Sequence, residues 1–259
     1  MIPAIELSGL TKSWPSGTAV NHLDLTVPTG CIFGFLGPNG AGKTTTIRMI
    51  SRLTEPTSGS IRIFGKSVDN LTAEDRQAVG VLFSEPALHD LMTAGENASW
   101  FGRLSGLNER SINQRMARLG RWLGVDTADS KLAGDFSSGM RKKLGLLCAM
   151  MAHPKLLILD EPFESVDPAG TRRIRRLLTS YAQAGGTVFL SSHVLSQLEA
   201  VMTHLAIIHH GELVLSGEIG TIRSELQSLQ QKTDLESIFL SSTDMDDEPD
   251  IEFTWEDPA

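Results

Sequence analysis

The chain has 259 residues, 41% of them apolar and 21% charged, enough for a sizeable buried core in one large or two closely joined domains. Its net charge of −8 is localised: eight of the 31 acids (Asp244, Asp246, Asp247, Glu248, Asp250, Glu252, Glu256 and Asp257) follow residue 243 without a Lys or Arg, leaving 23 acids against 23 bases elsewhere. A near-neutral body argues against a nucleic-acid partner, no run approaches the roughly 20 apolar residues of a membrane-spanning helix, and the N-terminus lacks a secretory pattern, so a cytoplasmic protein with an acidic, disordered tail over 241–259 is expected.

Residues 5–10 and 19–27 read as strands joined by a Pro-Ser-Gly turn, and 58–64 as a third, together an antiparallel layer. Residues 31–36 form a short apolar run that enters a Gly-rich turn, after which 43–53 has helical spacing. Between Met92 and Met151 the strand signal vanishes and apolar residues recur at helical spacing, which predicts an inserted helical subdomain at about 92–152. Two buried strands follow, 156–160 and 187–191, separated by a helix over 171–184 that ends at Gly185-Gly186. Alternating strands and helices give an α/β fold with a largely parallel sheet. Cys31 and Cys148 stand far apart, belong to no metal-ligand spacing and read as core residues. Met150 and Met151 are assigned to the core, His209-His210 to the end of an edge strand, and Arg172, Arg173, Arg175 and Arg176 to a solvated helix face.

The segment Gly37, Pro38, Asn39, Gly40, Ala41, Gly42, Lys43, Thr44, followed by Thr45, fits GxxxxGK[ST] and lies between an apolar strand and a helix. Glycines let backbone amides wrap a phosphate at a helix N-terminus, Lys43 neutralises the outer phosphates, and Thr44 is placed to ligate Mg²⁺. ATP with Mg²⁺ is the implied ligand. The strand 156–160 ends in Asp160-Glu161-Pro162, delivering Asp160 to the magnesium shell and Glu161 to the water that attacks the γ-phosphate.

Asp135-Phe136-Ser137-Ser138-Gly139-Met140 lies one helix length before that strand and resembles the ABC signature LSGGQ/M, with Phe136 in place of Leu and Ser138 in place of the first Gly. Ser165-Val166-Asp167 resembles the D-loop, Ser192-His193 the switch histidine, and Trp14 stands where the family stacks an aromatic on adenine. With GELVLSGEI near Gly211 and LESIFL near Leu235, the resemblance covers residues 4 to about 240 and is closest to the single-domain ATPases of ABC-2-type exporters. It implies a P-loop NTPase of the ABC ATPase type over 1–240, with a mixed core sheet, an N-terminal antiparallel β layer and the helical subdomain. Glu161 and His193 would be catalytic, and Ser137, Ser138, Gly139, Met140 and Asp167 would contact ATP held by the other subunit.

One position departs from the family. Gly80-Val-Leu-Phe83-Ser84-Glu85-Pro86 puts Ser84 where the Q-loop presents Gln; a serine reaches magnesium only through water, so either Glu85 substitutes or the coupling of hydrolysis to transport is weakened. The implied mechanism is a homodimer or heterodimer of ATP-binding subunits that closes head to tail on two MgATP. It would pull on a membrane-spanning subunit docked near residues 84–96 at the inner face of the cell membrane. Rival readings are a soluble ABC ATPase outside transport, which would call for two nucleotide domains or a long coiled coil, and a weakly hydrolysing switch, which Lys43, Asp160, Glu161 and His193 oppose.

Overall fold

The computed structural model describes residues 2–228, with side chains to residue 224, so the acidic tail and the LESIFL segment lie outside the described residues. An antiparallel sheet is built from β1 (Ile5–Trp14), β2 (Gly17–Val27), β4 (Ser58–Ile63) and β5 (Lys66–Ser67), in the order β2-β1-β4-β5. The core sheet contains β3 (Ile32–Leu36), β6 (Val79–Leu82), β7 (Leu156–Asp160), β8 (Thr187–Ser192), β9 (His204–His209) and β10 (Glu212–Glu218). Its order is β10-β9-β3-β8-β7-β6, with β10 alone antiparallel to its neighbour.

Every residue of β3 and β7 is buried, because this sheet is covered on both faces and needs apolar side chains at successive positions. Strand alternation sorts them. Phe33, Phe35, Leu156 and Ile158 face the antiparallel layer and α1 (Lys43–Ile50), while Ile32, Leu36, Leu157 and Leu159 face the helical side. Helices α3 (Ala94–Leu104), α4 (Glu109–Leu123) and α5 (Ser138–Met150) lie between β6 and β7 in the chain; α2 (Ala73–Gln77) precedes β6. The remaining helices are α6 (Pro168–Gln183), α7 (Leu195–Leu198) and α8 (Ile219–Ser228). No helix among the described residues is long and apolar enough to cross a membrane.

Several boundaries move from the sequence reading for physical reasons. Helix α1 stops at Ile50, three residues short of the expected end, because Arg52 turns left-handed at φ 57° and Leu53 emerges into solvent. His209 ends a strand that is not an edge: β10 pairs along its outer side. The arginine face of α6 is also only partly solvated. Arg175 turns inward, donating to the carbonyl of Gln197 and lying over the Phe163 ring. Both cysteines and both methionines are buried as expected, and burial pushes the Cys31 thiol up to about 11 and that of Cys148 to about 12.

Candidate active site at the C-terminal edge of the core sheet

Strand register assembles the site. Leu36 pairs with Ser192, Asp160 with Ser191, and Leu82 with Leu159, so the residues after β3, β8, β7 and β6 emerge side by side at one edge. The cleft there has a volume of about 360 Å³ and is lined by Asn39, Gly40, Gly42, Lys43, Thr44, Thr45, Ser84, Glu161, Glu164 and His193, with Ala19 at one side.

The loop after β3 is shaped for close backbone approach. A Cβ on Gly37 would lie 2.3 Å from the Ile208 carbonyl oxygen, and one on Gly42, which caps α1 at φ 104°, would lie 2.4 Å from that of Ala19. Lys43 is buried at the start of α1, and its Nζ donates to the carbonyls of Gly37 (2.7 Å) and Pro38 (3.0 Å) and sits 3.6 Å from Oε1 of Glu161. Burial pulls its pKa down, and the charges of Glu161 and Asp160 partly oppose this. Pro38 contributes through that carbonyl and does not line the cleft.

Asp160, fully buried, accepts from Thr44 Oγ1 at 2.9 Å and from Ser191 Oγ at 2.6 Å. Ser191 Oγ also receives the backbone N–H of Glu161 at 3.1 Å, fixing the acid pair to β8. Glu161 is held at φ 47°, a left-handed conformation costly for a side chain of this kind, which turns its carboxylate into the cleft beside Lys43. His193 places Nδ1 3.1 Å from Glu161 Oε1, without the alignment of a hydrogen bond.

A hydroxyl and a carboxylate oxygen meeting at the mouth of a phosphate-binding loop are hard donors of the kind Mg²⁺ takes in small number, with phosphate and water completing its shell. Ser84 also lines the cleft, whereas Glu85 is exposed and does not.

The other residues singled out from the sequence lie apart from the cleft lining. Ser137 caps α5 by accepting from the Met140 N–H, and Ser138 and Gly139 open that helix. Gly139 packs on the Ser165-Val166 backbone, where a Cβ would come within 2.5 Å of the Ser165 carbonyl oxygen. Asp167 caps α6, and the hydrogen bond from Gly170 N–H, with the nearby charge of Lys143, holds its carboxyl below the usual range. Trp14 is 46% exposed at the end of β1, with Lys12 Nζ 4.2 Å from its ring centroid. Sequence reasoning missed Glu164, Ser191 and Lys142. Glu164 follows the acid pair by three residues, a spacing open to inspection; Ser191 and Lys142 act through contacts made far along the chain.

Comparison with known proteins gives matches across most of the chain. The ABC transporter family model matches residues 20–164. The chain is 40% identical over 215 residues to the bacitracin transport ATP-binding protein BcrA of Bacillus licheniformis, covering 83% of this chain and 69% of that protein. It is 36% identical over 225 residues to the daunorubicin/doxorubicin resistance ATP-binding protein DrrA of Streptomyces peucetius, covering 87% and 68%. A solved ATP-binding subunit of an ABC transporter superposes with a TM-score of 0.83 at 26% identity, over 92% of this chain and 99% of the other.

Proposed function

From the premise that the chain belongs to the ABC transporter family, as an ATP-binding and ATP-hydrolysing subunit, we propose how its residues carry out that work. The observation that carries the reading is the convergence of Lys43, Thr44, Asp160, Glu161 and His193 on one cleft at the C-terminal edge of the sheet. The loop amides from Asn39 to Thr45 and the Lys43 ammonium hold the ATP phosphates. Thr44 and Asp160 would hold Mg²⁺, which neutralises charge on the phosphate oxygens when bound. Glu161 orients a water on the γ-phosphorus and accepts its proton. A bond from the water oxygen to phosphorus forms as the bond to the β,γ-bridging oxygen breaks, giving ADP and phosphate. His193, beside Glu161, contacts the γ-phosphate.

Closure of two subunits head to tail brings Ser137, Ser138, Gly139, Met140 and Asp167 of one onto the nucleotide of the other. Support comes from their placement: all five sit at helix N-termini or on the adjoining loop, outside the chain's own cleft. The membrane-spanning partner docks over residues 84–96, at the inner face of the cell membrane. Leu91 is 87% exposed there, on a groove of mixed polarity in which Leu91, Met92 and Trp100 stand among Glu96 and Arg103, a surface that a helix of a partner with both apolar and charged side chains would cover. The relatives' names, bacitracin transport and daunorubicin/doxorubicin resistance, support compounds of that kind as the class of cargo.

Co-purification from detergent tests the docking reading. The wild-type chain should carry a membrane-spanning subunit through affinity purification, and Leu91→Asp should lose it while releasing phosphate from MgATP at the wild-type soluble rate. Retention of the partner by Leu91→Asp would move the docking surface elsewhere.

A further inference from the structure

Lys142 is a buried cation that none of the chemistry above uses. It lies one turn inside α5, five residues after the capping Ser137, and is 3% exposed. Its Nζ donates a 2.6 Å hydrogen bond to the backbone carbonyl of Ser84, the residue at which the chain leaving β6 enters the wall of the nucleotide cleft. Among the described residues no carboxylate lies within ion-pair distance of it. Burial pulls its pKa down, and the more distant charges of Glu164, Asp160 and Glu161 push the other way.

A buried ammonium is costly, and an apolar side chain of equal length would be the cheaper filling unless the hydrogen bond it makes is used. The surrounding packing makes that bond a stiff one. Three residues along α5, Gly145 faces the 82–86 segment so closely that a Cβ would stand 2.7 Å from both Leu82 Cδ1 and Pro86 Cβ. Helix α5 therefore touches this segment twice in one turn, once by a charged hydrogen bond and once by close packing of Gly145 against the Leu82 and Pro86 side chains.

We propose that Lys142 is a positioning residue that ties the signature helix to the wall of the chain's own ATP cleft, so that α5 and Ser84 move as one. The proposal rests on the head-to-tail reading above, in which the N-terminus of α5 faces the nucleotide of the other subunit. Ser84 faces the chain's own nucleotide. A displacement of α5 on closure is then delivered through Nζ to Ser84, and each site is set by occupancy of the other. A serine whose side chain is too short to follow the ligand is adequate there, because the position of its backbone is what is controlled.

Hydrogen exchange and steady-state hydrolysis on the full chain test this, using Lys142→Met, which keeps length without a donor, and Lys142→Gln, which keeps a donor. Without nucleotide, peptides covering 83–88 should exchange at least about tenfold faster in Lys142→Met than in wild type. Its kcat should fall by a similar factor with KM for ATP within about twofold, the signature of lost positioning with binding retained. Lys142→Gln should recover most of both. In a Glu161→Gln background, MgATP should protect 83–88 together with 137–143, and adding Lys142→Met should leave protection only at 137–143. Unchanged exchange at 83–88 in a folded Lys142→Met chain overturns the tie, as does a KM rising in step with the loss of kcat. A Gln variant indistinguishable from Met overturns it too, assigning the effect to charge alone. Failure of the head-to-tail reading has a different mark: MgATP then leaves 137–143 unprotected in the Glu161→Gln chain, which overturns the coupling between sites but not the tie read without nucleotide.

Discussion

Lys43 shows how one side chain is prepared for a charged ligand. Its ammonium is removed from water, bonded to two carbonyls of its own loop and placed beside Glu161, so its position over the cleft is set without nucleotide. Replacing it with Ala removes the cationic side chain of the loop, and hydrogen bonds to charged groups contribute about 1.5–3 kcal/mol. Titration calorimetry should therefore show MgATP affinity for Lys43→Ala reduced by about 10- to 100-fold; unchanged affinity would remove the cleft as the ATP site. That Lys43, Thr44, Asp160 and Glu161 would meet at one cleft was legible in the sequence because they sit in short strings with one physical purpose, whereas His193 was singled out by the resemblance of Ser192-His193 to the switch histidine. Ser191 was not, since its hydroxyl earns a role only when β8 and β7 pair in register and Asp160 comes within 2.6 Å. Lys142 was equally hidden, as its partner Ser84 lies 58 residues earlier and is reached through a backbone carbonyl.

At the level of elements, strand ends carry the chemistry and side-chain caps hold the segments between them. The buried strands β3, β7 and β8 were readable as short apolar runs, and the hairpin of β1 and β2 as two strands around a Pro-Ser-Gly turn. Which strand lies at an edge was not readable, because pairing between β9 and β10 is decided by the chain's return after Gly211 and not by the composition of β9. The segment leading into α3 was likewise not readable in its internal order. It is organised by Asn97, fully buried, whose Oδ1 accepts from His89 N–H and whose Nδ2 donates to the carbonyls of His89, Met92 and Thr93. Asn97→Leu keeps the branched shape but strands these buried groups, at a cost of about 2 kcal/mol. The thermal midpoint followed by circular dichroism should fall by about 4–8 °C for a chain of this size. The variant should also lose the membrane-spanning partner, because residues 84–96 carry the proposed docking surface. A midpoint within a degree of wild type would mean that the loop is held by other contacts.

For the whole molecule, the decisive fact is a separation within one chain. The cleft is lined by the phosphate loop, Ala19, Ser84, Glu161, Glu164 and His193, and by nothing from Ser137 to Met140, which form the N-terminus of α5. In the head-to-tail reading proposed above, a second copy or a related chain would supply the complement, and ATP the reason to associate, since it would be bound from both sides only in the closed pair. Glu161→Gln keeps the size of the side chain and its hydrogen bonding but removes the carboxylate proposed to accept the proton of water, so ATP should bind without turnover and the closed pair should accumulate. Adding Ser137→Arg places a bulky cation where the opposing γ-phosphate must fit, which should prevent closure while leaving each chain's own nucleotide site intact. Light scattering with MgATP should give a mass approaching the dimer for Glu161→Gln at high protein concentration, and the monomer mass, with ATP bound, for the double variant. A monomer at every concentration for Glu161→Gln would exclude a self-sufficient homodimer and require a related subunit or the membrane partner for closure. Hydrolysis by Glu161→Gln at the wild-type rate would remove Glu161 from the reaction, leaving Glu164 as the other carboxylate lining the cleft among the described residues.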